Sequence, residues 1–362
     1  MAAIHEISFA PPPMSSDLPP MTVNLYSDTQ SKPTKAMKAA MMEAELGDEQ
    51  AGTDPTVTKL CERMAEFLGK EAAMFLPSGT MCNQVAIITH CRPGDEVLAH
   101  ETAHILTSEG SGCAALAGAQ ITGMPGPRGQ YTLDTLKSFI RPHSRYAPPQ
   151  TLVEVEQTAN SGGGTVWKLE TLNAIADFAH EKGLATHMDG ARLTNATVAA
   201  GIAPKDMVAG FDSVWLDFTK GLGAPLGAVL AGSNAFIGRA WRWKQRMGGS
   251  MRQGGLSAAG CLYALENHVD RLAIDHANAK RLARGLAQIP GITVEDPETN
   301  LVFFDTTGTG MDANTLNLKT RAHGVGISVN TKFRGRACTH LDVSEADIDT
   351  AIAVIRQVVS QA

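Results

Sequence analysis

Residues 213–227 read SVWLDFTKGLGAPLG, and this stretch decides the fold. Its first part, 213–218, is short and apolar, as a buried strand is. A single lysine, Lys220, follows it and leads into a glycine-rich turn. Residues 227–231 predict a second strand, which we expect to run antiparallel to the first. The sequence therefore places a lysine at the end of a buried strand.

Strands and helices alternate on the N-terminal side of this stretch. The pattern predicts strands at 72–76, 96–99, 151–156 and 184–188, and helices at 34–50, 54–69, 103–117, 169–182 and 192–200, with a further helix that ends at 88. Such alternation is typical of a doubly wound, mostly parallel sheet. We therefore predict an α/β fold.

The C-terminal part of the chain predicts a smaller α+β unit. Residues 256–286 favour a long helical region, and after it we expect strands at 292–295, 301–305 and 326–329 and helices at 311–323 and 344–360. The domains we predict are a flexible arm at 1–20 with five prolines, a large domain at 21–252 and a small domain at 253–362. The segment 21–50 is expected to bridge to the small domain or to a partner subunit.

Composition bounds the class of protein. The 362 residues suit two packed domains at roughly 100–200 residues each. With 43% hydrophobic and 19% charged residues the chain is globular, and a net charge of −6 without a Lys/Arg cluster argues against nucleic acid or a membrane as partner. No signal peptide or spanning stretch is visible, so we expect a cytoplasmic protein. The six cysteines form no CxxC pair, and we predict reduced thiols and no metal site.

Two residues follow predicted strands with side chains suited to chemistry. Asp189, in LATHMDGAR (184–192), comes directly after the strand predicted at 184–188. It lies at the edge where open α/β sheets bind ligands, and a carboxylate there needs a cationic partner. It could instead cap a helix or pair locally with Arg192. A partly desolvated Lys220 would have a lowered pKa, and its neutral amine could attack a carbonyl. The alternative is a solvated loop lysine.

Two further positions are candidates for ligand contacts. The loop at Gly79 and Thr80 joins a strand to a helix, and the free N–H groups of such a junction bind anions. A plain tight turn is the alternative. His104 follows another strand and could stack on a ring, or it could be structural. Together the four features describe one cofactor site with a phosphate cup, an acid for a pyridine nitrogen, a stacking ring and a lysine for a Schiff base.

The order of these residues resembles the threonine aldolases, which belong to the wider group of β-eliminating lyases. The resemblance runs from about residue 24 to the C-terminus, and the motifs that carry it are Ser27-Asp28-Thr29, Gly52-Thr53-Asp54-Pro55, Ser78-Gly79-Thr80-Met81, His104, His187-Met188-Asp189-Gly190-Ala191-Arg192, the 219–225 turn, Met251-Arg252-Gln253 and Arg336-Ala337-Cys338-Thr339-His340. It implies the aspartate-aminotransferase-like fold (fold type I), with a mostly parallel seven-stranded sheet in the large domain and a small C-terminal α+β domain.

The resemblance also implies pyridoxal 5'-phosphate (PLP) as cofactor. In that case Lys220 binds PLP as a Schiff base, Asp189 pairs with its pyridine nitrogen and His104 stacks on its ring. Gly79 and Thr80 would hold its phosphate. The catalytic residues implied are Lys220, His104 and Asp189.

Four other residues gain roles from the same resemblance. Arg252 would reach the phosphate in a neighbouring subunit of a homotetramer, a dimer of dimers. Arg192 would lie near the phenolic oxygen of PLP and the substrate. Ser27 and Arg336 would bind the substrate carboxylate, a group that a guanidinium fork suits.

Three positions depart from the family, and each loses a ring. Ala51 and Ser108 stand where the family has tyrosine, and Ala159 stands where it has a histidine close to the substrate hydroxyl. We expect a larger pocket for the β-substituent, which would favour a bulky aldehyde over acetaldehyde. The base must then be water, His104 or another residue. The alternative is that neighbouring side chains fill the gaps.

The function we predict is retro-aldol cleavage of L-threonine, L-allo-threonine or a bulkier L-β-hydroxy-α-amino acid to glycine and an aldehyde. Another PLP reaction on the same scaffold, such as β-elimination, racemisation or transamination, is the second hypothesis, and β-elimination would give pyruvate and ammonia. A scaffold protein without catalysis is the third. Such a protein has no need of both a Schiff-base lysine and carboxylate-binding arginines.

Overall fold

The computed structural model describes residues 19–361, so the predicted arm at 1–20 lies outside the described residues except for its last two. The strands are β1 (Val23–Asn24), β2 (Ala72–Leu76), β3 (Glu96–His100), β4 (Gln120–Met124), β5 (Gln150–Glu156), β6 (Ala185–Gly190), β7 (Ser213–Asp217), β8 (Ala228–Gly232), β9 (Thr293–Val294), β10 (Leu301–Asp305), β11 (Val325–Gly326), β12 (Ser328–Val329) and β13 (Arg334–Cys338).

The helices flank these strands. They are α1 (Lys35–Met42), α2 (Pro55–Leu68), α3 (Gly79–His90), α4 (His104–Thr107), α5 (Leu133–Phe139), α6 (Leu169–Glu181), α7 (Leu193–Ala200), α8 (Pro204–Met207), α9 (Asn234–Arg246), α10 (Gly255–Asn267), α11 (Leu272–Leu286), α12 (Ala313–Ala322) and α13 (Glu345–Ser360). Among residues 19–361, no helix has both the length and the apolar run that crossing a bilayer requires.

Seven strands form one sheet in the order β2-β8-β7-β6-β5-β3-β4. The pairs from β7 to β4 are all parallel, and β8 alone runs antiparallel to both of its neighbours. The prediction of a mostly parallel seven-stranded sheet is confirmed, and so is that of the antiparallel strand after the glycine-rich turn. The carboxyl ends of β3, β5, β6 and β7 lie at one edge, which is where the candidate residues meet.

A second unit is built on an antiparallel sheet in the order β12-β13-β10-β9, with the short parallel pair β1 and β11 beside it. Its core contains apolar residues of α11, α12 and α13, and Val23 and Leu25 from the start of the chain join it. Helix α10 instead contributes Ala258 and Cys261 to the core of the large sheet. The predicted domain limits, with a boundary at 252/253, stay a prediction.

Local sequence explains why α2 begins and ends where it does. Asp54 accepts hydrogen bonds from the backbone N–H groups of Thr56 and Val57, and Pro55 occupies the first turn. Gly69 ends the helix with φ of 61°, a left-handed conformation that costs glycine little. The helix predicted at 54–69 is confirmed.

The helix predicted at 34–50 is wrong beyond residue 42. The chain folds back there, because the carboxylate of Asp54 accepts from Gly47 N–H at 3.2 Å and Thr53 N–H donates to the carbonyl of Asp48. A fold-back held by a distant cap leaves no mark in the local periodicity of the sequence.

The helix predicted at 103–117 is also broken. It is replaced by α4 and a separate π-helical turn, Cys113–Ala117, since Gly110 and Ser111 both adopt a φ of 59° between them. The long region predicted at 256–286 is two helices, and between them the ring of His268 donates to the carbonyl of Leu222 at 2.7 Å. Elements that the sequence did not predict include β1, β4, α5, α8, α9 and β13.

Asp28 joins three parts of the fold. Its two carboxylate oxygens accept from Nε and Nη2 of Arg192, at 2.7 Å each, and Asn300 donates to it at 3.0 Å. The Asp28 side chain is fully buried and that of Arg192 nearly so. Burial by itself would raise the pKa of Asp28, but the guanidinium outweighs it and holds that pKa well below the ordinary value.

We expect Asp28→Asn to lower the free energy of unfolding by about 3–5 kcal/mol, because it leaves a buried guanidinium without its counter-charge. Urea unfolding followed by circular dichroism measures this. Asp349→Asn is the matched control, since its ion pair with Arg281 lies on the surface and should change stability little. Equal losses for the two variants would contradict the role given to Asp28.

Candidate active site

A cavity of about 320 Å³ opens at the carboxyl edge of the parallel strands. It contains eight of the nine predicted site residues, and its lining comprises Ser27, Thr29, Ser78, Gly79, Thr80, His104, Glu109, Glu156, Asn160, Asp189, Ala191, Arg192, Trp215, Asp217, Thr219, Lys220 and Arg336. The ninth, Arg252, is exposed and pairs with Asp48 at 2.8 Å, so this chain alone does not bring it to the cavity.

Lys220 lies three residues after Asp217, the last residue of β7, and is held by the end of that strand. Its side chain is 18% exposed, and its amine donates to the carboxylate of Asp217. Thr219 fixes the other oxygen of that carboxylate through its N–H (2.8 Å) and hydroxyl (2.7 Å). The alternative of a freely solvated loop lysine is therefore wrong. The sequence analysis missed Asp217, although a carboxylate that ends an apolar strand is a visible signal.

The predicted anion cup is the N-terminus of α3. Ser78 caps the helix by accepting from Met81 N–H at 3.3 Å. The N–H groups of Gly79 and Thr80 donate to no acceptor among the residues of the structure. A Cβ at Gly79 would lie 2.2 Å from the ring of Trp215, so only glycine lets the helix end come this close. In the described chain, the loop therefore leaves two N–H donors free at the cavity.

Asp189 ends β6 and is 1% exposed. It accepts from the amide of Asn83 at 2.8 Å and from Ala191 N–H at 3.0 Å. The alternative of a local pair with Arg192 is wrong, because that guanidinium pairs with Asp28. Burial raises the pKa of Asp189, and no salt bridge joins it to a cation within residues 19–361. A carboxylate in this state favours a ligand that brings a positive charge.

His104 begins α4 with its imidazole half-exposed at the cavity. Its Nδ1 donates to Glu109 at 2.8 Å, and its backbone N–H donates to Glu156 at 2.9 Å. Glu109 is buried and also accepts from Asn83 and Gln84. The hydrogen bond with Glu109 is the main reason why the pKa of His104 is raised. The imidazole is oriented, and its Nε2 is the nitrogen left for a ligand.

Two more carboxyl groups lie under the cavity on β5. Glu156 accepts from the N–H of Asn160 at 2.7 Å, and burial raises its pKa to about 7. Glu154 is fully buried, and neither of its oxygens has a hydrogen-bond partner in the structure. Burial raises the pKa of Glu154 well above its ordinary value, which favours the protonated form of that side chain. Both glutamates are visible in the strand sequence QTLVEVE (150–156), but the sequence analysis gave neither a role.

The two arginines of the cavity differ in how many of their N–H groups remain free for a ligand. Arg192 donates hydrogen bonds from Nε and Nη2 to Asp28, and only its Nη1 donates to Asn160, at 3.3 Å. Nη1 of Arg336 reaches the same amide oxygen at 3.2 Å, and its Nε donates to Ser328. No salt bridge engages Arg336 in the described chain, so its charge is open to a carboxylate.

The three ring-losing positions lie away from this cavity. Ala159 is buried, and a Cβ at Gly129 would come within 2.7 Å of its methyl group. Ser108 is exposed, and Ala51 lines a different cavity beside Trp241. Within one chain, therefore, neighbours close the space at 159, and the larger pocket stays a hypothesis.

Comparison with known proteins fits this geometry. Residues 24–309 match the family model of the β-eliminating lyases. The chain is 38% identical over 327 residues to the low-specificity L-threonine aldolase of Escherichia coli K12, covering 90% of this chain and 96% of that enzyme. It is 36% identical over 343 residues to low-specificity L-threonine aldolase 1 of Arabidopsis thaliana, with coverage of 93% and 96%. The chain belongs to the β-eliminating lyase family.

Solved structures confirm the fold. A threonine aldolase of Leishmania major superposes with a TM-score of 0.80 at 22% identity, covering 93% of this chain and 99% of that one. The aspartate aminotransferase of Rhizobium meliloti gives 0.69 at 16% identity, with 94% and 92% covered. The predicted aspartate-aminotransferase-like architecture is thus confirmed.

We expect Glu109→Gln to lower the pKa of His104, because the substitution removes the charge that stabilises the imidazolium. The titration of the ring C–H signals by NMR reports it. Glu101→Gln, on the exposed loop just before His104, is the control and should leave the titration unchanged. An unaltered pKa in Glu109→Gln would mean that this hydrogen bond does not control the imidazole.

Proposed function

We propose that this chain uses PLP to cleave L-threonine or a related L-β-hydroxy-α-amino acid to glycine and an aldehyde. The observation that carries the proposal is that Lys220, a lysine held at a strand end, shares a cavity with Arg336, an arginine without a counter-charge. Membership of the β-eliminating lyases and the names of the L-threonine aldolases above support it.

The residues of the cavity fit PLP group by group. The open N–H groups of Gly79 and Thr80 suit a phosphate, and the unpaired carboxylate of Asp189 suits a protonated pyridine nitrogen. The half-exposed ring of His104 can stack on a planar ring, and the Lys220 amine can bond to an aldehyde carbon. When bound, PLP would supply an electron sink for the bond that breaks.

The chain itself would orient the substrate. Arg336 binds the carboxylate, with Nη1 of Arg192 and the Ser27 hydroxyl beside it, in place of the Asn160 oxygen that both arginines now share. A fixed carboxylate sets the rotation about Cα and so selects which of its bonds breaks. Because Asp28 immobilises Arg192, that side of the cavity is rigid.

Retro-aldol cleavage also requires removal of the β-hydroxyl proton. Ala159 has no group that could accept it, and His104 is the imidazole that lines the cavity. We propose that Nε2 of His104 takes this proton while Nδ1 stays bonded to Glu109. An imidazole oriented by a carboxylate is suited to such work.

Assembly and location form a further part of the proposal. Arg252 is exposed enough to reach a neighbouring subunit, as the predicted homotetramer would need. A cytoplasmic location stays a prediction.

The proposed reaction can be tested with purified, PLP-loaded protein and two substrates, L-threonine and L-phenylserine. We expect glycine and the matching aldehyde from at least one of them, and no product with Lys220→Ala. Faster cleavage of phenylserine would support the larger pocket, whereas a clear preference for threonine would reject it. Pyruvate and ammonia in place of glycine would move the reaction to β-elimination.

The role of Arg336 predicts a binding defect in Arg336→Lys, since a lysine keeps the charge but loses the fork. We expect KM for the cleaved substrate to rise about 10- to 100-fold, the equivalent of one charged hydrogen bond. Arg334→Lys is the matched control. It lies on the same strand, β13, and pairs with Glu295. Similar KM values for both variants would exclude Arg336 as the carboxylate ligand.

A further inference from the structure

The side-chain amide of Asn83 lies at the centre of the polar network beneath the cavity. Asn83 is on α3, one turn after the anion cup, and is completely buried. Its Nδ2 donates to Glu109 at 2.7 Å and to Asp189 at 2.8 Å. Its Oδ1 accepts from Trp215 at 2.6 Å and from His187 at 3.2 Å. Two hydrogens and two lone pairs are the full capacity of an amide, and all four are used.

The orientation of this amide is fixed by its neighbours. Carboxylates only accept and an indole N–H only donates, so the nitrogen must face Glu109 and Asp189 while the oxygen faces Trp215. A flipped amide would set an oxygen against two carboxylates in a buried site, which is strongly unfavourable. One planar group therefore fixes the separation of the two acids.

A chain of hydrogen bonds behind Asn83 supports the same orientation of its amide. Because the oxygen of Asn83 can only accept, His187 carries its proton on Nε2, and its Nδ1 accepts from the hydroxyl of Ser213 at 2.8 Å. Burial lowers the pKa of His187 to about 3, so the ring is neutral. Ser213 in turn accepts from Nε2 of His90 at 2.8 Å. Hydrogen bonds aligned head to tail polarise one another and strengthen the last one.

We propose that Asn83 is a positioning residue that holds Asp189 in its ionised form and couples it to the Glu109–His104 pair on the other side of the cofactor site. The functional role of Asn83 rests on the proposed binding of PLP, whereas its hydrogen bonds to the two acids do not. Through Glu109 the amide sets the ring expected to stack on PLP, and through Asp189 it sets the carboxylate expected to meet the pyridine nitrogen.

The charge state of Asp189 depends on several neighbours. Glu109 opposes its ionisation, and so does negative charge on Glu154 or Glu156 of the neighbouring strand β5. His104 and Lys220 favour it from the loops that face it. The hydrogen bond from Asn83 is the strongest of the favourable effects on Asp189. Removing this hydrogen bond should therefore raise the pKa of Asp189, so that its carboxylate takes up a proton more readily.

The first measurement uses cofactor-free protein. The carboxyl signal of Asp189, assigned with Asp189→Asn, is titrated by ¹³C NMR in wild type, Asn83→Ala and Asn83→Ser. We expect the proton affinity of Asp189 to rise about tenfold in Asn83→Ala, as the loss of one hydrogen bond to a charge implies. Asn83→Ser keeps one donor and guards against a variant that fails to fold, and its effect should be smaller.

Gln84→Ala is the matched control. The Gln84 amide donates to Glu109 at 2.5 Å and makes no hydrogen bond to Asp189. The Gln84→Ala variant should therefore leave the titration of Asp189 unchanged. If Asn83 had only a structural role in α3, Gln84→Ala and Asn83→Ala would have similar effects. Equal titrations of Asp189 in wild type and in both Asn83 variants would overturn the proposal.

The second measurement uses PLP itself. Equilibrium dialysis should show PLP bound about tenfold more weakly by Asn83→Ala than by Gln84→Ala. In ¹⁵N-labelled PLP, the pyridine signal should move toward its unprotonated position in Asn83→Ala alone. If wild type bound no PLP, the proposed function would fail, and the cofactor-free titration would still decide the role of Asn83. Normal PLP affinity and an unmoved signal in Asn83→Ala would overturn that role.

Discussion

A buried carboxylate and guanidinium, Asp28 and Arg192, form the contact on which the shape of the site depends. Burying two charges is unfavourable unless their geometry is good and further hydrogen bonds complete them. Here the pair is bidentate, and Asn300 supplies the additional donor. Because the three residues come from the start of the chain, the large sheet and the smaller unit, the pair brings Ser27 and Arg336 to the same cavity.

The charges around the cavity are arranged in two layers. Carboxyl groups form its floor, and burial raises the pKa of Glu154, Glu156 and Asp189. Cationic groups, Lys220 and Arg336, lie at its sides. A ligand with a positive ring nitrogen and negative outer groups would interact favourably with both layers, its nitrogen with the carboxyl groups and its negative groups with the cations.

The sequence predicted the sheet and most of the cavity because strand ends carry their signal locally. Lys220 and Asp189 each follow a short apolar run, and parallel strands bring such ends to one edge. The pairing of Asp28 with Arg192 could not be predicted, since 164 residues separate them. Nor could the strand that carries Arg336, because its polar residues alternate with small ones. Contacts between distant segments decide such features.

The packing around Ala159 bears on which residue can accept a proton from the substrate. Ala159 donates its N–H to Thr165 and packs on Gly129, where a Cβ would come within 2.7 Å of its methyl group. A larger side chain at 159 would therefore have to move the loop around Gly129. Neighbouring backbone closes the space at 159, and the methyl group of Ala159 cannot accept a proton. In the proposed reaction this function passes to His104, which Glu109 orients.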